Sequence, residues 1–215
     1  MLKIETFTVN PLSENTYVVS DATREAVIID CGALYEAEQK AIAAYITTQQ
    51  LKPVASVLTH GHFDHCFGTA FLTEAYGLAT RCSAPDMPLF NNIGEQMREL
   101  LGHALRSART GEAGEPLTPE SIIRFGSHEF TVLPSPGHTP GGLCLYCEAE
   151  HVLFSGDSLF RESIGRTDFP GGNVWNLVAS LRHIVKTLPP ETVVYPGHGP
   201  ATTIGHERDH NPYIN

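Results

Sequence analysis

One short stretch carries most of the information about this chain, and it reads Thr59-His60-Gly61-His62-Phe63-Asp64-His65. Its three histidines and one aspartate directly follow the apolar segment Val54–Leu58, which is predicted to be a strand. Imidazole and carboxylate groups are the ligands that zinc and iron take in proteins. His60 and His62 face the same way in an extended segment and can share one ion, whereas Asp64 and His65 can address a second ion. The stretch therefore predicts a metal site at the end of a strand.

Three later loops each carry one more residue of a metal-binding type. These residues are His138, Asp157 and His198, and each directly follows a glycine shortly after the end of a predicted strand. Functional residues gather on such loops. One of them alone could belong to an ordinary turn. Three in equivalent positions predict that they complete the metal site.

The composition indicates a folded domain that does not bind nucleic acid. The 215 residues are 41% hydrophobic and 18% charged, which is enough to bury a sizeable core. With 24 acidic against 14 basic side chains the net charge is −10, which disfavours contact with a phosphate backbone. The N-terminus lacks the pattern of a signal peptide, and apolar runs such as Ala26–Ile29 are too short to span a bilayer. We expect a cytoplasmic protein without membrane contact.

The five cysteines do not resemble a disulfide framework, because their number is odd and they are scattered along a long chain. Cys144 and Cys147 form a CxxC pair that could bind zinc or undergo redox chemistry. However, the surrounding residues predict a strand, in which residues three apart point to opposite faces. We therefore expect both cysteines to be structural and buried.

Hydrophobic periodicity predicts two halves, each with its own sheet and helices. The predicted strands are Leu2–Val9, Thr16–Ser20, Ala26–Asp30, Val54–Leu58, Leu78–Cys82, Ile122–Phe125, Glu129–Pro134, Leu143–Glu148, His151–Ser155 and Thr192–Tyr195. The predicted helices are Ala33–Gln50, Cys66–Tyr76, Asp86–Ala108 and Asn173–Leu188. This order favours an α/β sandwich of sheets with helices outside. Residues 86–119, a predicted helix and a loop rich in glycine and proline, are a candidate insertion near the site.

The ligand pattern resembles the metallo-β-lactamase superfamily over nearly the whole chain, from Asn15 to Tyr213. The resemblance implies a four-layer αββα sandwich with a dinuclear metal site at one edge of the sheets. It implies that His60, His62 and His138 hold the first ion and that Asp64, His65 and His198 hold the second, with Asp157 as the bridge. The cofactors would be two divalent ions, zinc in the first place, with iron or manganese as alternatives.

Two further segments resemble the glyoxalase II (hydroxyacylglutathione hydrolase) group, namely Gly165–Pro170 and Glu207–Tyr213. Asp157 stands where the best-known lactamases of the superfamily have cysteine, so lactam hydrolysis is not the expected activity. The chain ends soon after Asn211-Pro212, without the C-terminal helical domain that helps two-domain members bind glutathione. The resemblance thus implies a short, single-domain protein over residues 1–215.

The implied reaction is hydrolysis of a small-molecule thioester, such as S-lactoylglutathione, by water that the two ions activate. The expected catalytic residues are Asp157, which would bridge the ions, and Asp64, which is the sole candidate acid but would be held ionised by its metal. A thiolate leaves without strong protonation, since a thiol has a pKa of about 8.5, so a thioester fits better than an amide. Arg166 is the candidate for binding an acidic substrate, and the alternative for it is a surface ion pair with Asp168.

Other interpretations remain open at this point. A persulfide dioxygenase of the same superfamily would use one iron on His60, His138 and Asp157. A nuclease is disfavoured by the charge, and an inactive scaffold by the complete ligand set. The remaining histidines are expected at the surface or satisfied in the core, although His210 and Tyr213 could brace the metal site.

Overall fold

The computed structural model describes residues 1–105 and 108–214, and two β-sheets stack face to face within them. The first sheet has the order β1 (Lys3–Val9), β2 (Glu14–Ser20), β3 (Glu25–Ile29), β4 (Lys52–Val57) and β5 (Thr80–Arg81). The second sheet has the order β6 (Ile122–Phe125), β7 (His128–Pro134), β8 (Leu143–Cys147), β9 (Val152–Gly156), β12 (Val193–Pro196) and β13 (Thr202–Thr203). A small hairpin of β10 (Leu159–Phe160) and β11 (Ser163–Ile164) follows β9.

Helices cover the outer face of each sheet, so the predicted αββα sandwich is confirmed. The first sheet is covered by α1 (Glu36–Thr48) and α3 (Thr69–Tyr76), and the second by α6 (Val174–Thr187) and α7 (Ile204–His210). Three short helices, α2 (Phe63–Cys66), α4 (Met87–Asn91) and α5 (Ile93–Leu101), share a smaller apolar cluster around Phe90 and Met97. None of the helices in the described ranges is long and apolar enough to cross a membrane.

Alternation along the strands places one core between the sheets and one under each helical layer. In β2, Tyr17 and Val19 face the second sheet, whereas Val18 packs under the helices of the first. In β8, Cys144 packs under α6 and Cys147 faces the other sheet. All five cysteines are free and buried. The expectation of structural cysteines without disulfides is therefore confirmed.

Strand direction brings the functional loops together. The pairs β3–β4 and β9–β12 are parallel, so their carboxyl ends lie at a common edge of the sandwich. Asp30 follows β3, the His60–His65 loop follows β4, Asp157 follows β9 and His198 follows β12. The loop that follows β7 carries His138.

The prediction of one long helix over Asp86–Ala108 is wrong in its extent. The segment forms a short turn, then α4 and α5, with a break at Asn92, whose φ of −128° and ψ of 38° are not helical. The Gln96 side chain donates to the carbonyl of Leu89 at 2.7 Å, which compensates for the hydrogen bonds lost at the break. Gly102 adopts a φ of +78° and ends α5, and residues 106–107 of the prediction lie outside the described part.

The helix predicted over Cys66–Tyr76 differs in a similar way. The structure divides this region into α2 and α3, which are separated by Phe67 and Gly68. Helix α2 starts at Phe63 rather than at the predicted Cys66, so Asp64 and His65 lie within this short helix.

A buried polar cluster joins the two sheets at the end opposite the functional loops. The Asp21 carboxylate, just after β2, accepts hydrogen bonds from the Ser127 backbone at 2.7 Å and from Thr23 at 2.8 Å. His128 Nδ1 lies 3.0 Å from the same carboxylate, and its Nε2 lies 3.0 Å from Glu150. Burial alone would raise the pKa of Asp21, but the hydrogen bonds from Thr23, Ser127 and His128 outweigh it and hold that pKa well below its usual range.

Asp21→Asn is predicted to lower the melting temperature by several degrees at pH 7. The stabilisation by the Asp21 carboxylate is present above about 3.9, the pKa of an unperturbed aspartate, and is lost as the pH falls toward the lower pKa of the folded state. The difference between wild type and variant should therefore shrink when melting is followed below pH 4. The exposed Asp209→Asn is the matched control. Identical melting of wild type and Asp21→Asn at pH 7 would contradict the prediction.

Candidate metal centre

The start of the His60–His65 loop is fixed by the carboxylate of Asp30. The backbone nitrogen and the hydroxyl of Thr59 donate to this carboxylate at 2.7 and 2.6 Å. The Thr59 hydroxyl oxygen also lies 3.1 Å from His60 Nδ1. Because the hydroxyl proton is used on Asp30, the oxygen accepts the Nδ1 proton of His60. The other ring nitrogen, Nε2, then keeps its lone pair, and it is buried without a hydrogen-bond partner among the described residues.

Three imidazoles form the first group of candidate ligands. His60, His62 and His138 offer ring nitrogens that lie within 4.8 Å of one another. His138 Nδ1 lies 2.7 Å from the carbonyl oxygen of Arg166, which can only accept, so Nδ1 carries the proton. His138 Nε2 therefore keeps its lone pair, and in the part of the chain that the structure describes this buried atom has no hydrogen-bond partner.

Asp64, His65 and His198 form the second group, whose ligand atoms also lie within 4.8 Å of one another. His198 Nδ1 lies 3.1 Å from the carbonyl oxygen of Leu12, and its Nε2 is 3.3 Å from the Asp64 carboxylate. His65 Nδ1 is 3.2 Å from Asp30. His65 Nε2, the opposite ring nitrogen, faces the Asp64 carboxylate at 3.8 Å.

Asp157 lies between the two groups. Its Oδ1 is 3.4 Å from His65 Nε2, and its Oδ2 is 3.6 Å from the Nε2 atoms of both His138 and His198. Its Oδ1 is buried, and no hydrogen-bond partner for it is found within residues 1–105 and 108–214. All seven predicted ligands thus meet at one edge of the sheets. Their assignment as metal ligands, with Asp157 as the bridge, remains a prediction.

The electrostatics of the cluster suit divalent cations. Burial and the neighbouring imidazoles lower the pKa of His60 well below its usual value, and burial together with His138 lowers the pKa of His62 to about 3. Both rings are therefore neutral, which is the form that binds metals. Burial would raise the pKa of Asp157, but the charge of His65 outweighs it and keeps that pKa below its usual range. Removing an unpaired lone pair or an ionised carboxylate from water costs free energy, and a bound cation would offset that cost.

A cavity of about 420 Å³ opens onto this cluster. Besides five of the predicted ligands and Arg166, its lining is apolar and consists of Leu12, Phe63, Leu100, Phe160 and Phe169. Leu100 belongs to α5, so the 86–119 segment does contribute to a wall of the cavity. The Arg166 guanidinium lies 3.8 Å from the centre of the Phe169 ring and forms two hydrogen bonds of 2.7 Å with Asp168. Arg166 therefore lines the cavity and pairs with Asp168 at the same time.

The C-terminal segment Glu207–Tyr213 makes contacts other than those predicted for it. His210 stacks on His206 with ring centres 4.5 Å apart, and Tyr213 is exposed, so neither is seen to brace the metal cluster. Instead, the buried Glu207 accepts from the backbone of Glu162 at 2.9 Å, and Asn211 donates to the carbonyl of Ser163 at 3.0 Å. These bonds anchor the β10–β11 hairpin, which carries Phe160 into the cavity wall.

Three buried carboxylates near the cluster were not found from the sequence. They are Glu14, Asp30 and Asp86, and each is at most 1% exposed. Glu14 Oε1 lies 3.7 Å behind His65 Nδ1, and burial raises the pKa of Glu14 well above its usual value. A lone acidic residue has no motif around it, but Asp30 ends an apolar strand, which is a signal that could have been used.

Comparison with known proteins agrees with this geometry. The family model described as the metallo-beta-lactamase superfamily matches residues 9–198. An uncharacterised protein of Aquifex aeolicus is 37% identical over 98% of this chain and 96% of its own length. The hydroxyacylglutathione hydrolase GloC of Haemophilus influenzae is 32% identical over 100% of this chain and 99% of its own.

Solved structures are similar over the same range. The B3 metallo-beta-lactamase BLEG-1 superimposes with a TM-score of 0.88 at 35% identity, with 100% of both chains covered. TTHA1623 in a di-iron-bound form gives 0.83 at 39% identity, over 97% of this chain and 99% of that one. ETHE1 from Myxococcus xanthus superimposes with a TM-score of 0.76 at 29% identity, over 98% of this chain and 83% of that one. The chain therefore belongs to the metallo-beta-lactamase superfamily of metallo-hydrolases.

Proposed function

We propose that this metallo-hydrolase cleaves acyl-thioesters of the glyoxalase II type, such as S-lactoylglutathione, with two divalent metal ions. The two ligand groups on either side of Asp157 support a dinuclear centre. Zinc is the expected metal because a set of five imidazoles and two carboxylates suits it. Iron is the alternative, because the similar TTHA1623 is described in a di-iron-bound form.

The observation that carries the proposal concerns the leaving group, for which the described lining of the cavity offers no proton donor. Among the described residues that line the cavity, the only ionisable side chain besides the predicted ligands is Arg166, which stays protonated at any ordinary pH. An amine leaving group needs a proton as its bond breaks, whereas a thiolate with a pKa of about 8.5 for its thiol can leave as the anion. The cavity thus favours a thioester over an amide.

The chemistry divides between the bound cations and the residues around them. Two divalent cations would activate a water molecule as the nucleophile and act as Lewis acids toward the thioester carbonyl. Asp157 would link the two ligand groups, since its oxygens lie 3.4 Å from His65 Nε2 and 3.6 Å from His138 Nε2, and the carbonyl of Arg166 keeps His138 in one tautomer. The apolar walls exclude water from the acyl group. Water adds to the carbonyl carbon, the carbon–sulfur bond breaks, and an acid and a thiol are the products.

A second candidate is the persulfide dioxygenase with one iron on His60, His138 and Asp157, and the likeness to ETHE1 fits it. A mononuclear centre would leave Asp64, His65 and His198 without an ion, although they converge as closely as the first group. The full-length relation to a hydroxyacylglutathione hydrolase supports the hydrolase instead.

The direct test combines metal content with a panel of substrates. Protein purified without added metal should contain about two equivalents of zinc or iron per chain and should hydrolyse S-lactoylglutathione. A β-lactam is the comparison substrate, because BLEG-1 is described as a lactamase, and it should react far more slowly. One equivalent of iron with persulfide-dependent oxygen uptake would support the second candidate and contradict the proposal.

Asp157→Ala is predicted to abolish thioester hydrolysis while the fold survives. Its carboxylate lies after the end of β9 and touches both ligand groups, but neither sheet depends on it. Turnover should be compared with that of Asp209→Ala, an exposed control, and folding should be followed by circular dichroism. If a folded Asp157→Ala retains more than a few per cent of the turnover, the bridging role is wrong.

Arg166→Ala is predicted to raise KM for an acidic thioester and to leave kcat nearly unchanged, because it removes binding that is equal in the ground and transition states. A charge-assisted hydrogen bond contributes about 1.5–3 kcal/mol, so KM should rise roughly ten- to hundredfold. A neutral thioester should be hardly affected.

Asp168→Asn is the matched variant for this prediction, because it frees Arg166 from its present partner. KM for the acidic thioester should then fall. If both variants leave the kinetics of both substrates unchanged, Arg166 and Asp168 form only a surface ion pair, and substrate recognition lies elsewhere.

A further inference from the structure

The peptide groups on either side of Gly61 are held by two buried side chains. The Gly61 backbone nitrogen donates to the Asp86 carboxylate at 2.9 Å, and the Gly61 carbonyl accepts from Gln96 Nε2 at 3.0 Å. Asp86 is 0% exposed and Gln96 is 7% exposed. Gly61 stands between His60 and His62, so fixing its two peptide planes fixes the direction in which both imidazoles project.

The glycine at position 61 lets this holding segment come close. A Cβ atom at Gly61 would lie 2.7 Å from the carbonyl oxygen of Asp86 and 2.8 Å from Leu89 Cβ. Asp86 ends a short turn and Leu89 belongs to α4, which follows it, so a larger residue would push that segment away. The sequence requirement here is close approach rather than an unusual backbone angle.

The same carboxylate also reaches the loop of the third imidazole. Asp86 accepts from the Thr139 hydroxyl at 2.7 Å and from the backbone nitrogen of Gly141 at 2.6 Å. Ser83, three residues earlier, donates to the carbonyl of Gly141 at 2.5 Å. Thr139 directly follows His138. One buried carboxylate therefore joins the two loops that supply all three imidazoles of the first group.

The second group is positioned by other residues. Asp64 is tied through its carbonyl to Asn10 at 2.9 Å, and His198 through its Nδ1 to Leu12 at 3.1 Å. His65 lies against Asp30. The contacts described for Asp86 and Gln96 involve the first group's loops and their own segment, not these residues.

We propose that Asp86 and Gln96 are positioning residues that set the metal affinity of the His60–His62–His138 group independently of the other group. The inference rests on the metal assignment in the proposed function, but not on the thioester substrate. It also gives the segment after residue 86 a role beyond that of a cavity wall. Partners that orient metal ligands affect affinity typically by about ten- to hundredfold, so the effect is measurable.

The test is a zinc titration of metal-free protein against a chromophoric chelator. Wild type should bind two equivalents. Asp86→Asn keeps the size of the side chain but removes the charged carboxylate that accepts three hydrogen bonds. It should lower the affinity for one zinc equivalent about ten- to hundredfold and leave the affinity for the other unchanged. Gln96→Leu removes the hydrogen bond to the Gly61 carbonyl and should lower the affinity for the same equivalent by a smaller factor. This variant keeps the proposal testable if Asp86→Asn does not fold. Asp21→Asn, a buried carboxylate far from the cluster, should leave both equivalents unchanged.

Two background variants identify the affected ion. In His198→Ala, which impairs the second group, Asp86→Asn should weaken the remaining ion. In His62→Ala, which impairs the first group, Asp86→Asn should have no effect on the remaining ion. Wild-type affinities in folded Asp86→Asn and Gln96→Leu, or equal weakening in both backgrounds, would overturn the proposal. Two bound equivalents in a wild type that hydrolyses no thioester would contradict the proposed function alone.

Discussion

Buried lone pairs that lack hydrogen-bond partners are the constraint on which this molecule depends. Among the described residues, His60 and His138 each bury an Nε2 atom without a hydrogen-bond partner, and Asp157 buries a carboxylate oxygen in the same space. Burying such groups costs free energy, and the cost remains unless a cation binds them. Since the unfolded chain has no such site, metal binding and folding are thermodynamically coupled. The fold therefore holds an arrangement that cations would stabilise.

The arrangement is built in layers outward from the cluster. Parallel strands bring the ends of β3, β4, β9 and β12 to one edge. Around that edge, backbone carbonyls and two buried carboxylates orient the imidazoles from behind. Asp30 acts through Thr59 at the start of the His60–His65 loop, and Asp86 acts through Gly61 in its middle. These two aspartates fix the backbone that carries the imidazoles, although neither is among the residues described as lining the cavity.

The sequence predicted a sandwich of sheets with helices outside and the convergence of His138, Asp157 and His198 on the histidine cluster. Both follow from local signals, namely the periodicity of strands and helices and the glycine before each ligand, whereas the four-layer αββα order was implied by the resemblance to the superfamily. The sequence did not reveal Asp86 or Gln96, because their role comes from contacts with Gly61 and Thr139, which lie 25 to 53 residues away in the chain. The break at Asn92 was missed because it depends on a single side-chain contact, the hydrogen bond that Gln96 donates to the carbonyl of Leu89, which periodicity does not reveal. For Arg166, the structure contains both features that the sequence left as alternatives.

Anomalous X-ray scattering from crystals of protein purified without added metal would show most directly whether the centre is dinuclear. A dinuclear centre predicts two anomalous peaks, one among His60, His62 and His138 and the other among Asp64, His65 and His198, with Asp157 between them. The absorption edge would identify each metal. A single peak, or peaks away from these residues, would contradict a dinuclear centre built on the seven predicted ligands.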